Sequence, residues 1–457
     1  MKHEDVRGTT FSVVGAAESG VSVARLLASR GAKVFVSDIG TAEKLQKEIN
    51  TLEQWKIPYE LGQNSEKILD AQIVVVSPGV PLTASIVRQA REKGLRVVGE
   101  IEVASWMCPE EVGIVAITGS NGKTTTTTLM GRIFADAKKK SVVAGNIGTA
   151  FSSVVLDIDV ETTAIVEVSS FQLDTIKSFR PEISVLLNIT PDHLNRYDYK
   201  FENYIASKCR IFENQTIDDY LVYNYDDRVT RDAVEHKARS KVHLLPFSLT
   251  EKFDEGAFID SKQLLVRLAG KEYNVIGIEE ISIKGEHNRY NSMASSLASI
   301  VKGVGTASLR ATLRNFKGVE HRLEFVREVE GVKYVNDSKA TNVEAVWYAL
   351  RSFKEPLVVL IGGRDKGNDY TRLLEPVKNH VRAIVAIGES ADNVVTNFVS
   401  VVPVERAGTM EEAVEVARRL ARPGDVVLLS PACASFDWFN NYEHRGKVFK
   451  DIVNGFQ

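Results

Sequence analysis

Short apolar runs bounded by turn residues recur along this chain, and between them apolar positions fall at helical spacing. In the first hundred residues, 11–15 (FSVVG), 33–38 (KVFVSD) and 72–77 (QIVVVS) are expected strands, and 21–29 an expected helix. A second set opens at 112–118 (VGIVAIT) and continues through a helix ending near residue 137, then strands at 164–169 and 183–190. The pattern changes over 258–276. There, 263–268, the pair Ala269-Gly270 and 272–276 read as a hairpin inside a mostly parallel unit. Residues 287–301 form an expected helix rich in Ala and Ser. The third set starts near Gly318, with strands at 332–336, 357–361, 383–387 and 426–429 and helices such as 411–420 between them. Strands alternating with helices predict an α/β fold with parallel sheets covered on both faces. A length of 457 residues exceeds what one hydrophobic core holds. It fits three domains, expected at 1–103, 104–318 and 319–457.

Composition narrows the class. Hydrophobic residues at 44% and charged residues at 26% argue against disorder, collagen-like sequence and a long coiled coil. Lys plus Arg is 57 and Asp plus Glu is 60, a net charge of −3. This balance provides no electrostatic reason to expect nucleic acid or a membrane surface as partner, though it leaves room for an anionic small ligand in a local pocket. The three cysteines, Cys108, Cys209 and Cys433, form no CxxC pair and no Cys/His cluster. Neither a disulfide framework nor a structural zinc is expected, only semi-buried thiols in a reducing compartment. The N-terminus lacks signal-peptide form, and no apolar run reaches the roughly 18 residues that cross a bilayer. The expected location is cytoplasmic.

The strongest chemical signal is Gly119-Ser120-Asn121-Gly122-Lys123-Thr124-Thr125, placed between an expected strand and an expected helix. Backbone N–H groups of such a loop wrap a polyphosphate, the helix N-terminus adds a favourable dipole, and Lys123 adds charge near the β/γ-phosphates. Thr124 offers a hydroxyl to Mg²⁺. Ile117 stands where the strict G-x-x-x-x-G-K-[ST] pattern has its first Gly, so the loop is a variant. The competing reading is a plain Gly-containing turn.

A second loop, Gly15-Ala16-Ala17-Glu18-Ser19-Gly20 followed by Asp38, resembles the dinucleotide fingerprint, but Ala17 replaces the Gly that lets backbone approach a pyrophosphate. NAD is weakly supported; another nucleotide and a structural turn both stay open. Glu167 and His193 lie at expected strand ends, where ligands of open parallel sheets bind. A carboxylate there suits Mg²⁺, whereas a lone His is as readily structural. Lys208 sits among Phe201, Tyr204, Ile211 and Phe212 at helical spacing. It either snorkels, the preferred reading from the residues alone, or is desolvated to a neutral amine open to carbamylation.

In the third set, Asp337 and Lys339 project from a strand end in VNDSKATN, and Thr341-x-x-Glu344 reads as a capping box. Gly362-Gly363-Arg364-Asp365-Lys366 and 430–437 (SPACASFD) end further strands. Three polar clusters at one sheet edge suggest a binding face.

GSNGKTT, VEVSSFQL, TPDHLNRY, GEHNRYN, GVEHRLE, VNDSKATN and LSPACASFDWF, in this order over essentially the whole chain, resemble the Mur ligase family. VNDSKATN and SPACASFD point to its D-glutamate-adding branch. The resemblance implies three domains: an N-terminal Rossmann-like domain holding UDP, a central P-loop ATPase-type parallel sheet, and a C-terminal Rossmann-like domain for the amino acid and adenine side. It implies an ATP-dependent ligase that adds D-glutamate to UDP-N-acetylmuramoyl-L-alanine through an acyl phosphate, acting as a monomer without nucleic acid or membrane. By the same resemblance, Lys123, Asn146, His193 and Lys208 are catalytic. Thr124, Glu167, His193 and a carbamylated Lys208 serve two Mg²⁺ ions, so the family overturns snorkelling at Lys208. The loop 119–125 with Asn288, Asn291, Arg322, Asp337 and Lys339 binds ATP. Ser19, Asp38, Ser77, Gly79, Asn146 and His193 face the UDP substrate, and Thr341, Lys366, Ser435 and Tyr442 face D-glutamate. Competing classes are a P-loop switch, which needs neither the Lys208 helix nor VNDSKATN, a dinucleotide oxidoreductase, which Ala17 disfavours, and a folylpolyglutamate synthase, which lacks the N-terminal nucleotide domain.

Overall fold

The computed structural model describes residues 4–146, 148–238, 242–365 and 367–456. Lys366, an expected D-glutamate contact, lies outside them. Three sheets organise the chain, confirming the α/β class. The first comprises β1 (Thr10–Val14), β2 (Lys33–Asp38), β3 (Tyr59–Leu61), β4 (Ile73–Val76) and β5 (Arg96–Gly99), all parallel, in the order β3-β2-β1-β4-β5. The second comprises β6 (Ile114–Thr118), β7 (Ser141–Gly145), β8 (Thr163–Glu167), β9 (Ile183–Leu186), β10 (Tyr220–Asn224), β11 (His243–Ser248), β12 (Gly256–Asp260), β13 (Gln263–Leu268) and β14 (Lys271–Gly277). Its order is β14-β13-β12-β11-β10-β9-β6-β8-β7, parallel except for the β12–β13–β14 meander. The expected hairpin is β13–β14, and its turn residues Ala269 and Gly270 both take positive φ, as a two-residue hairpin turn requires.

The third sheet comprises β15 (Glu324–Val329), β16 (Val332–Asn336), β17 (Leu357–Gly362), β18 (Val381–Ile387), β19 (Val404–Arg406) and β20 (Val426–Leu429), in the order β15-β16-β20-β17-β18-β19. Only β15 is antiparallel to its neighbour. By contact density the chain forms two compact units. Met1–Gly277 with Asn291–Thr312 carries the first two sheets, and Ile278–Tyr290 with Leu313–Gln457 carries the third. No helix among the described residues is long and apolar enough to cross a membrane.

Local sequence explains these elements. Central strands such as β6 and β17 are buried at every residue because helices cover both faces, which is why they read as unbroken apolar runs. In the helix Met410–Leu420, Met410, Ala413, Val414 and Ala417 form the buried stripe. Thr409 caps it by accepting from the Glu412 N–H (3.2 Å), and its acidic first turn and basic last turn complement the helix dipole.

Some expectations need correction. The strand expected at 183–190 stops at Leu186 because the next residues are drawn into the phosphate loop. The helix Val343–Leu350 is capped not by Thr341 but by Asn342, whose side chain accepts from the Ala345 N–H at 2.8 Å. The capping box is therefore withdrawn, and Thr341 is not spent on capping. The three thiols are fully buried, not semi-buried, and burial pushes Cys108 up to about 12 and Cys209 up to about 11.

One buried carboxylate fastens the first two sheets. The helix Glu100–Met107 joins β5 to β6, and Glu102 on it is 0% exposed. Glu102 accepts from Trp106 Nε1 (2.9 Å), the backbone N–H groups of Lys177 (2.9 Å), Ser178 (2.8 Å) and Phe179 (2.9 Å), and Ser178 Oγ (2.6 Å). Its neighbour Glu100 accepts from the Ser152 N–H, at the start of the helix Phe151–Val154. Both contacts tie the linker helix to segments that flank the second sheet, one a helix start and one a loop.

Candidate active site

The phosphate loop sits where the sequence places it, between β6 and the helix Lys123–Asp136. Gly122 has φ +85°, a backbone conformation that favours glycine, and a Cβ there would press on the Asn291 side chain. Asn188, just past β9, holds the loop backbone from both sides. Its Oδ1 accepts from the Asn121 N–H (2.9 Å) and its Nδ2 donates to Asn121 O (3.1 Å). Ser120 Oγ donates to Thr190 O (2.9 Å) and lies 3.2 Å from the Tyr204 hydroxyl. Lys123 Nζ donates to Gly119 O (2.8 Å) and Ser120 O (3.0 Å). Thr124 and Thr125 are buried in the first helical turn.

Lys208 does not snorkel. It is 1% exposed, and its Nζ donates to the same Gly119 carbonyl (2.8 Å) while lying 4.7 Å from the Tyr204 ring centroid. Burial, then the Lys123 charge, pulls its pKa well below the ordinary lysine value; Asp192, Asp174 and Glu167 partly oppose this. Glu167 ends β8 beside the loop, 1% exposed. Its Oε1 accepts from Asn146 Nδ2 (2.9 Å), and its buried Oε2 has no hydrogen-bond partner among the described residues. A buried carboxylate oxygen left open is expensive unless a cation or donor arrives, and hard oxygen donors such as Glu167 and Thr124 suit Mg²⁺. His193 sits in left-handed backbone (φ +52°), its ring edge-on to Phe171 at 5.1 Å and its Nε2 3.7 Å from Asp192 Oδ2.

A cleft of ≈ 480 Å³ opens where the order of the first sheet reverses, between β1 and β4. Ser19, Asp38, Ser77, Gly79 and Asn146 all line it, so the structure gathers the expected UDP-side residues, His193 excepted, in one place. The cleft is of ligand size and lies at the carboxyl ends of parallel strands. Asp38 shapes it by accepting from the Ala16 and Gly40 N–H groups, both at 2.6 Å. Ser77 Oγ donates to Gly15 O (3.0 Å). A Cβ on Gly20 would come within 1.8 Å of Gly15 O, so that glycine serves close helix–strand packing.

In the second unit, the VNDSKATN, Gly362-Gly363 and SPACASFD segments leave the carboxyl ends of the adjacent strands β16, β17 and β20. Asp337 is 3% exposed and accepts from Ser430 Oγ (2.9 Å); burial raises its carboxyl to about 7 against the pull of Arg322. Lys339 Nζ lies 4.9 Å from the Tyr442 ring centroid. Ser435 is buried. Asn288 Nδ2 donates to Lys284 O (2.8 Å) in this unit, whereas Asn291 packs against the phosphate loop in the first. The cluster Glu320, His321 and Glu324 is engaged by Lys450, whose Nζ donates to both carboxylates.

Residue reading passed over several contributors. Gln172 lines the cleft and closes a capping box with Ser169; the S-x-x-Q spacing inside VEVSSFQL was the available signal. Asn188 lay hidden in a run expected to be strand. Arg445, 1% exposed, joins two loops by donating to Ser338 Oγ (2.9 Å), Ser338 O (2.7 Å) and Cys433 O (3.1 Å), and no local pattern announces it.

Comparison with known proteins agrees with this architecture. Three family models match in order: the Mur ligase MurD-like N-terminal domain at residues 9–99, the Mur ligase middle domain at 117–299, and the Mur ligase glutamate ligase domain at 321–433. A UDP-N-acetylmuramoylalanine--D-glutamate ligase of Salinibacter ruber is 47% identical, with 99% of each chain covered. One of Chloroherpeton thalassium is 42% identical, again with 99% of each covered. Among solved structures, MurF from Acinetobacter baumannii shares the fold at TM-score 0.63 and 15% identity, covering 97% of this chain and 93% of that one. Matched in all three of its parts and similar end to end to these relatives, the chain belongs to the Mur ligase family.

Proposed function

We propose that this protein is an ATP-dependent ligase that joins D-glutamate to UDP-N-acetylmuramoyl-L-alanine, a step of peptidoglycan precursor synthesis. The observation that carries the reading is end-to-end similarity, at 47% and 42% identity, to relatives named for that reaction. The site geometry supports it: Asn146 both lines the nucleotide-sized cleft and donates to Glu167, the carboxylate beside the phosphate loop, so the two candidate binding regions share a residue.

In this reading ATP phosphorylates the L-alanyl carboxylate, the D-glutamate amine attacks the acyl phosphate, and the tetrahedral intermediate expels phosphate. Two anionic reactants must meet, so catalysis is mainly positioning and charge neutralisation. Lys123 neutralises the transferring phosphoryl group, and loop N–H groups hold the β-phosphate. Asn146 orients Glu167 and faces the acceptor. Thr124 and Glu167 would hold one Mg²⁺, and His193 with Lys208 would serve a second; bound Mg²⁺ supplies charge between carboxylate and phosphate. The open Oε2 of Glu167 fits that role. Carbamylation of Lys208 needs a neutral amine, which its burial favours. Asn288, Asn291, Arg322, Asp337 and Lys339 take the adenine nucleotide, and Thr341, Lys366, Ser435 and Tyr442 take D-glutamate. Ser19, Asp38, Ser77 and Gly79 hold the UDP part. Domains 1–103, 104–318 and 319–457 then bring UDP-sugar, ATP and amino acid respectively, in a cytoplasmic monomer.

The test is phosphate release from ATP with each substrate omitted in turn, followed by an amino-acid screen. Release only when acceptor and amino acid are both present, with D-glutamate far ahead of L-glutamate and L-lysine, is the expected result. Equal release without either would leave a plain NTPase, and preference for a diamino acid would move the chain to another branch of the family.

A further inference from the structure

The segment 193–199 is strained. His193, Asp198 and Tyr199 take φ of +52°, +54° and +55°, a region non-glycine residues occupy at a cost. Such a strap persists only where its surroundings hold it, and two side chains do so. The Tyr197 hydroxyl donates to Asp174 Oδ2 (3.0 Å) and lies 3.2 Å from Ser207 Oγ, anchoring the strap to the helices Ser170–Leu173 and Phe201–Cys209. Arg196 reaches the other way. Its NH2 lies 3.3 Å from Pro78 O and 3.5 Å from Val80 O, and its NH1 lies 3.5 Å from Gly79 O. These carbonyls belong to the loop after β4 that lines the nucleotide-sized cleft. The guanidinium also lies 4.3 Å from the Phe171 ring centroid, and the same ring meets His193 edge-on at 5.1 Å.

We infer that Arg196 is a positioning residue: it clamps the Pro78–Val80 carbonyls and the Phe171 ring together, so that occupation of the cleft by the nucleotide-sugar acceptor sets the place of His193. The inference rests on the proposed function for the identity of the acceptor. Each carbonyl contact is long, but a planar fork facing three carbonyl dipoles on one side and an aromatic face on the other is a role lysine cannot fill. The clamp joins the two halves of the first unit at the loop that holds the acceptor, and it leaves the ATP loop 119–125 untouched. Its loss therefore touches acceptor binding and the place of His193 while leaving the loop that holds ATP in position.

The experiment measures steady-state kcat and the KM for each substrate in the full-length Arg196→Ala and Arg196→Lys proteins. Arg196→Ala should raise the KM for UDP-N-acetylmuramoyl-L-alanine by about tenfold or more, as expected for losing a charged contact set. The KM for ATP should stay within about twofold, and low-millimolar guanidinium should restore part of the loss. Arg196→Lys keeps charge and bulk, guards against misfolding of the alanine variant, and should still show an acceptor-selective defect. An unchanged acceptor KM in both variants, or equal rises for all three substrates without guanidinium rescue, overturns the clamp. If the wild-type protein shows no acceptor-dependent turnover, the proposed function falls instead, so the two failures are distinct.

Discussion

Replacing Glu102 with alanine should strongly loosen the first unit. The carboxylate is 0% exposed and receives five hydrogen bonds, from four N–H groups and one hydroxyl. Ser178 Oγ can rotate to another acceptor. The N–H groups of Lys177, Ser178 and Phe179 and the Trp106 indole cannot move without shifting helix or loop. Removing one partner of a buried charged network costs about 3–5 kcal/mol, because the groups left behind stay desolvated. A central value of about 4 kcal/mol is roughly three powers of ten in the folded-to-unfolded ratio. For a unit of about 300 residues, with an unfolding entropy of roughly 2.1 cal/mol/K per residue, that lowers Tm by about 6 °C. Glu102→Gln should lose about half as much, since one amide oxygen still accepts while its NH₂ faces donors. Calorimetry and far-UV circular dichroism of the full-length variants provide the measurement. The linker also sets the two walls of the cleft against each other, so the acceptor KM should rise in the folded variant while the ATP KM holds. A Tm within 1–2 °C of wild type for Glu102→Ala would refute the reasoning, because the five bonds would then be replaceable by water.

Other expectations can be checked directly. Gly122→Ala places a methyl group on a φ of +85° and 2.4 Å from Asn291 Oδ1. It should raise the ATP KM by about tenfold or more, from backbone strain of about 1–2 kcal/mol plus displacement of Asn291, with the circular dichroism spectrum unchanged. Asp337 has a raised folded pKa of about 7, so its contribution to stability is present at low pH and is lost as pH rises through that value. Urea titrations between pH 4 and 8 should show a smaller decline with pH in Asp337→Asn than in wild type; parallel curves would exclude the buried acid. Lys208→Ala should lose ligase activity and regain part of it with formate or acetate, which can stand where a carbamate would. Full activity without additive would remove Lys208 from the reaction.

Several strands and the phosphate loop were legible because they are written locally. Apolar runs marked β2, β16 and β20 to the residue, and the strand–GKT–helix order located the loop, since both depend on neighbours a few positions apart. Several strands escaped, β3, β5, β7, β10, β11, β12, β15 and β19 among them, although YLVYN in β10 carries the same local signal as β16. The cap moved from Thr341 to Asn342 because the choice depends on backbone geometry at one residue.

What the sequence determined by itself was the alternation of strand and helix, the residue types at strand ends, and through its motifs the family. What only the tertiary structure decided was which distant groups meet. Lys208 and Gly119 stand 89 positions apart, and their contact turns an apparently snorkelling side chain into a buried amine. Arg196 reaches carbonyls more than a hundred positions away. The reason is physical. Periodicity reports the face a residue shares with its near neighbours, whereas desolvation and charge pairing depend on whichever segments the sheet order brings to the same edge.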